Sequence, residues 1–176
     1  MKAAIILAKG NEEGETLFLA DLIRRGNMDC DLISLDDEYV TGMHHIIAKA
    51  DKILDDNLEE YDVLVLPGGS PAGDIIRKDK RIREIILEFN KKGKYLAGIC
   101  FGVLALYEAG VLEGKKVTGY RGYEDKMENV QFVGGKAVID GHIISGQAPG
   151  AAYEFAFKIL EATGHDIEEL KNKLMF

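Results

Sequence analysis

The stretch Tyr95-Leu96-Ala97-Gly98-Ile99-Cys100-Phe101-Gly102 runs an apolar segment straight into a cysteine with a glycine two residues to either side. A short, continuous apolar run reads as a strand buried on both faces, the habit of parallel sheets. Phe101 to Glu108 follows as a very apolar helix stopped near Gly110. Strand, tight turn and helix with small residues about the turn form the layout of a nucleophile elbow. Cys100 then sits at the carboxyl edge of a strand, where open α/β sheets hold their sites. It also sits at a helix N-terminus, whose free N–H groups and dipole lower a thiol pKa. The plain alternative is a buried core cysteine. Cys30 lacks any such setting and reads as a core residue.

Upstream, Val63-Leu64-Val65-Leu66 is another fully apolar strand, stopped by Pro67-Gly68-Gly69. Paired glycines let a backbone approach a ligand and aim N–H groups at an anion, although a simple turn needs them as well. In a parallel sheet this turn and Cys100 share one edge, which makes the N–H groups of Gly69 and Phe101 natural oxyanion donors. Further back, Ala3 to Ala8 reads as the first buried strand and Glu12 to Arg25 as a helix ended by Gly26. Leu19, Leu22 and Ile23 lie four, seven and eight residues beyond Glu15. Glu15 therefore begins the inward stripe, while Glu12 and Glu13 are expected to face water. Desolvation raises a carboxyl pKa, and such a group can donate to a thiolate or serve as acid and base beside it. A first-turn glutamate serving the helix dipole is the alternative.

Cys30 to Leu35 and His45 to Ala48 read as strands, and Ile82 to Asn90 as an amphipathic helix. Val117-Thr118, Lys136 to Ile139 and His142 to Ser145 read as short strands, the last two joined by a turn at Asp140-Gly141. Ala152, Phe155, Ala156, Ile159 and Leu160 recur at helical spacing. Strands alternating with helices imply an α/β three-layer sandwich, a mostly parallel sheet with helices on both faces. No repeat or linker interrupts residues 1–176, which read as one domain.

Hydrophobic residues make up 47% and charged residues 30% of the chain, as in ordinary globular proteins. The formal net charge of −8, with no uninterrupted basic run longer than pairs such as Lys115-Lys116 or Arg24-Arg25, argues against a nucleic-acid partner. No apolar run approaches the roughly 18 residues of a membrane span. The opening apolar run is also too short for a signal peptide. Two cysteines without metal-like spacing point to neither a disulfide scaffold nor a zinc site, so the cytoplasm is the expected address. His44 and His45 point to opposite sides of an extended strand, which leaves the four histidines without a metal-binding pattern. Phosphate-loop and dinucleotide fingerprints are absent, and neither a metal nor a cofactor is expected.

Three signatures taken together carry a family resemblance. They are Leu7-Ala8-Lys9-Gly10-Asn11-Glu12-Glu13-Gly14-Glu15-Thr16, then Val65-Leu66-Pro67-Gly68-Gly69, then Gly98-Ile99-Cys100-Phe101-Gly102. In order and spacing the chain resembles the ThiJ/PfpI superfamily, in particular its DJ-one-like branch. The resemblance continues through Lys116-Val117-Thr118, Asp125-Lys126-Met127 and Ala148 to Ala156, and so covers essentially the whole chain. It implies a flavodoxin-like sandwich, usually a homodimer, with Cys100 as the reactive cysteine and Glu15 as its protonated partner. Gly68 and Gly69 would line the same pocket. The protease-like branch carries histidine after the cysteine, where this chain has Phe101, which speaks against peptidase activity. DJ-one-like relatives often place a histidine where this chain has Tyr120, and some carry an arginine where it has Gln147. Arg25 matches a family arginine near the dimer interface.

The activity implied is cofactor-free glyoxalase or deglycase chemistry on reactive aldehydes or glycated groups. Oxidative-stress sensing or chaperone behaviour through Cys100 oxidation is the alternative. Glutamine amidotransfer is a third reading of the same elbow. It needs a His-x-Glu dyad, which His165-Asp166-Ile167-Glu168 and His142-Ile143-Ile144 do not supply.

Overall fold

The computed structural model describes residues 1–55 and 58–176. The chain runs β1 (Lys2–Leu7), α1 (Glu13–Arg25), β2 (Asp29–Ser34), β3 (Tyr39–Thr41), β4 (Ile47–Lys49), β5 (Lys52–Ile53) and β6 (Val63–Leu66). It continues through α2 (Ala72–Lys78), α3 (Lys80–Lys91), β7 (Tyr95–Ile99), α4 (Gly102–Glu108), β8 (Lys116–Val117) and β9 (Gln131–Phe132). The antiparallel pair β10 (Ala137–Asp140) and β11 (Ile143–Gly146) precedes α5 (Ala152–Ala162) and α6 (Ile167–Leu174).

Seven strands form the main sheet in the order β10-β11-β7-β6-β1-β2-β5. Apart from β10, its strands run parallel. Successive side chains of a strand alternate between faces, and the two cores follow that alternation. Ala4, Ile6, Leu64, Leu66 and Leu96 pack with Ile76 of α2, Ile86 and Phe89 of α3, and Val103 and Leu106 of α4. Ala3, Ile5, Leu7, Val63, Val65, Ala97 and Ile99 pack with Leu19 and Ile23 of α1, Phe155 and Ile159 of α5, and Leu170 of α6. Helices therefore cover both faces, which is why the central strands are apolar throughout rather than alternating. The three-layer arrangement expected from the sequence is the one found.

Three local readings change. The strand expected at His45 to Ala48 is Ile47–Lys49, and His44 and His45 occupy the turn of the β3–β4 hairpin, His45 with φ 68°. The strand expected at Val117-Thr118 is Lys116–Val117, which pairs with β9 outside the main sheet. The helices α2 and α6, and the strands β3, β5 and β9, are too short to show a period in sequence.

From β1 the chain passes to β2 on one side of the sheet and later returns to β6 on the other. This reversal opens a crevice at the carboxyl edge, where open α/β sheets bind their ligands. The first turn of α4 is pressed against that edge. A side chain at Gly102 would fall on the Leu66 carbonyl and come within 3.0 Å of the Pro67 oxygen. Gly102→Ala is accordingly expected to cost about 3 kcal/mol in urea denaturation, as overpacking against fixed backbone does. Gly150→Ala, which meets nothing within 4 Å, should stay within about 0.5 kcal/mol of the parent.

Candidate active site

Cys100 ends β7 with φ 56°, in the left-handed region that a side-chain-bearing residue occupies at a cost of about 1–3 kcal/mol. Its N–H donates to the Gly146 carbonyl of β11 at 3.1 Å, which holds the turn to the sheet. The side chain is turned inward, and the residue is only 5% exposed. Facing it is Gly68, at the end of β6. A Cβ on Gly68 would meet Cys100 Cβ and Glu15 Oε2 at 2.8 Å each and Cys100 Sγ at 3.0 Å. The thiol and the carboxyl thus flank the same bare α-carbon, and only glycine fits between them. The Gly68 N–H donates to Glu15 Oε2 at 2.6 Å, fixing the carboxyl across the layer boundary from β6 to α1.

Glu15 is fully buried, and its Oε1 has no hydrogen-bond partner among the described residues. Burial raises its pKa to about 7, against the opposing pull of the Gly68 N–H and Cys100. The Cys100 thiol is also pushed up, by burial first and then by the charge of Glu15, with the Phe101 N–H pulling the other way. The sequence had suggested a lowered thiol pKa, and the structure reverses that direction. The short helix α4 contributes one backbone donor to the sulfur, too little to offset desolvation beside a carboxylate. Below about pH 7 both groups therefore keep their protons, and above it Glu15 loses its own while the thiol keeps one.

Gly69 has φ 108° and packs against the loop entering α1, where a Cβ would collide with Glu12 N and the Gly10 carbonyl. Its N–H makes no hydrogen bond among the described residues. The Phe101 ring covers the elbow and meets Tyr123 edge-on at 5.5 Å and Tyr120 at 6.1 Å. Tyr120 is 46% exposed and stands between two clefts. One, of about 640 Å³, also holds Thr118, Phe132 and Gln147. The other, of about 520 Å³, holds Phe101, Arg77, Tyr107 and Tyr123.

Two residues escaped the sequence reading. Glu13 was expected in water but is 4% exposed. Its Oε1 accepts the N–H groups of His44 at 2.8 Å and Ile46 at 3.2 Å, and its Oε2 lies 3.0 Å from His44 Nδ1. Burial works to raise the Glu13 carboxyl, but backbone N–H groups and the His44 ring outweigh it and hold it below its usual range. Glu13 thereby staples the β3–β4 hairpin to the start of α1. Glu12, Glu13 and His44 bring ligand-type atoms within 4.8 Å of one another, but Glu13 is already committed to the hairpin. The other escaped residue is Tyr123, 4% exposed, whose hydroxyl has no partner among the described residues. No periodicity in its segment marks it, because burial there comes from the elbow across the edge. His142 and His165 are tied to Asn90 and Thr163, away from the elbow.

The sequence profile of the DJ-1/PfpI family matches residues 1–162. This chain belongs to that family. It is 33% identical over 162 residues to protein DJ-1 homolog A of Arabidopsis thaliana, covering 89% of this chain but 41% of that protein. The chain thus spans about two fifths of that relative's length. Deglycase PfpI of Pyrococcus furiosus is 33% identical over 156 residues, covering 87% of this chain and 93% of the relative. The crystal structure of Drosophila melanogaster DJ-1beta superposes with a TM-score of 0.91 at 29% identity, over 99% of this chain and 97% of that one. The fold is therefore the flavodoxin-like sandwich of DJ-1 proteins. No helix among the described residues is long and apolar enough to cross a membrane.

The raised Glu15 carboxyl has a consequence for stability. A pKa of about 7 in the folded chain against 4.5 for the free side chain means that folding favours the protonated form. The contribution is fully present below pH 4.5 and lost as the pH climbs through 7. Glu15→Gln keeps a hydrogen-bond acceptor for Gly68 without the charge. In urea titrations at pH 8 it is expected to exceed the parent by up to about 3 kcal/mol. The difference should shrink toward zero at pH 4. Equal pH profiles for the two proteins would show that Glu15 is not held protonated by burial.

Proposed function

We propose that this chain is a cofactor-free enzyme of the glyoxalase or deglycase type, acting on reactive aldehydes or glycated groups through Cys100 with Glu15. The observation that carries the reading is the thiol and carboxyl placed on either side of Gly68, each buried and each shifting the other's titration. Relatives of similar length that bear the name deglycase, at 33% identity, support the same class.

In this mechanism Cys100 Sγ adds to the aldehyde carbon of a 2-oxoaldehyde. The thiol proton passes to Glu15, which hands it on to the former carbonyl oxygen, giving the hemithioacetal hydroxyl and returning Glu15 to the carboxylate. Glu15 then removes the proton from that carbon and returns it to the adjacent one while the hydroxyl proton moves to the neighbouring oxygen, turning the aldehyde carbon into a thioester. Water cleaves the thioester to a 2-hydroxy acid and frees the thiol. The net change is addition of one water with an internal redox exchange, and neither metal nor cofactor enters. Backbone N–H groups at Gly69 and Phe101 serve the developing oxyanion. Gln147 and Tyr120 line the approach in place of charged family residues, which suits a neutral carbonyl better than an anionic substrate.

Methylglyoxal turnover is the test. Cys100→Ser should remove it, and Glu15→Gln should lower kcat by on the order of 100-fold or more. In the parent the rate should rise through pH 7 as Glu15 becomes the base. Full turnover by Cys100→Ser would overturn the reading.

A second reading rests on Glu15 Oε1, which is buried without a hydrogen-bond partner among the described residues. A protonated oxygen there can donate to a sulfinate formed when two equivalents of peroxide oxidise Cys100, making the chain an oxidative-stress sensor. Selective gain of two oxygens at Cys100, without aldehyde turnover, would favour this reading over the first.

The same proposal takes the chain as a homodimer in the cytoplasm. Exposed Tyr39, Ile46 and Ile47 on the β3–β4 hairpin, and two free cysteines, support it. Sedimentation equilibrium should return twice the chain mass, and Ile47→Glu should shift it toward the monomer.

A further inference from the structure

A buried hydroxyl without a hydrogen-bond partner is costly to keep, and folded proteins retain few of them without a use. Tyr123 carries one in the aromatic wall of the candidate site. Its ring stands edge-on to Phe101 at 5.5 Å and 5.9 Å from Tyr120, and Lys126 Nζ lies 5.3 Å from the ring centre. These contacts hold the ring in place and leave the hydroxyl uncommitted. The same residue lines the cleft of about 520 Å³ that Phe101 shares. Burial pushes the phenol up, and charge on Cys100 would push it further. A phenol in that setting keeps its proton and acts as a donor.

We infer that Tyr123 is a catalytic residue of this site, donating its O–H to the carbonyl oxygen that becomes negative as Cys100 Sγ adds to the aldehyde carbon. The inference rests on the aldehyde reading above and deepens it. The Phe101 N–H also stabilises the Cys100 thiolate, so an oxyanion held by it and Gly69 gains from a further donor. Gly69 and Phe101 supply donors from the elbow, and in this proposal Tyr123 adds a third from the aromatic wall packed on Phe101. The proton remains on the phenol, which strengthens its hydrogen bond as charge builds and relaxes when the oxygen is reprotonated. A donor of this kind selects small carbonyl compounds whose oxygen can lie between the elbow and the phenol. It gives no advantage to an alkylating agent that reacts at carbon without forming an oxyanion.

Tyr123→Phe removes the hydroxyl and keeps the ring against Phe101. The expected result is a fall in kcat for methylglyoxal on the order of 100-fold. Iodoacetamide should still alkylate Cys100 at the parental rate, and the thermal midpoint should be at or above that of the parent. Turnover within threefold of the parent, while Cys100→Ser is dead, would overturn the inference and leave the aldehyde reading standing. So would a marked loss of stability in Tyr123→Phe, which would make the hydroxyl structural. If the parent itself fails to turn over methylglyoxal, the aldehyde enzyme reading fails, and a binding measurement decides on Tyr123. Acetaldehyde should protect Cys100 of the parent from iodoacetamide by reversible hemithioacetal formation. Tyr123→Phe should need at least tenfold more aldehyde for equal protection. Equal protection of both proteins, or none in the parent, would overturn the assignment of Tyr123.

Discussion

The Gly68 N–H donates to Glu15 Oε2 at 2.6 Å, and the geometry of the site depends on that bond. It ties the carboxyl edge of the sheet to the first turn of α1, two elements with 53 residues between their contact points. It also holds a carboxyl in a place from which water is excluded. A carboxyl buried there without a donor would have every reason to leave or to disrupt the packing. With one strong donor and one unpartnered oxygen it stays, at the protonation boundary, beside a thiol that is itself desolvated. The bare α-carbon of Gly68 lets the two groups share one space.

Around that bond the structure spends conformational strain where the chemistry needs it. Cys100 is held in the left-handed region by its bond to Gly146 on one side and by the close packing of Gly102 on the Leu66 carbonyl on the other. Either contact alone would leave the elbow free to relax. Glu13 plays the corresponding part at the opposite rim, where its carboxylate gathers the turn of the β3–β4 hairpin beside Glu15. Two acidic residues of one helix turn, Glu13 and Glu15, thus have opposite ionisation tendencies. Glu13 meets several donors and is held ionised, whereas Glu15 meets one donor and an apolar wall. The difference is local environment, not residue type.

The layered fold was legible because burial on both faces forces a continuous apolar run, and Ala3–Ala8, Val63–Leu66 and Tyr95–Ile99 each supply one. The pairing of Cys100 with Glu15 was legible in part. Helical spacing from Leu19, Leu22 and Ile23 puts Glu15 on the inward stripe, and the family resemblance named the pair. Spacing misplaced Glu13, because the hairpin that covers it comes from thirty residues further along the chain and leaves no mark in the helix. Tyr123 was invisible for a related reason. Its segment has no regular period, and attention falls on Tyr120, which proves to be half-exposed.

By itself, the sequence determined the elements that depend on neighbours along the chain: the buried strands, the amphipathic helices, the glycines about the elbow and the cysteine at its tip. Tertiary structure alone decided the direction of the thiol's pKa shift, the burial of Glu13 and the burial of an uncommitted phenol against the Phe101 ring. These last depend on distances between segments remote in sequence and on the exclusion of water between them. Electrostatic energy varies with both, and neither is written in the spacing of residues.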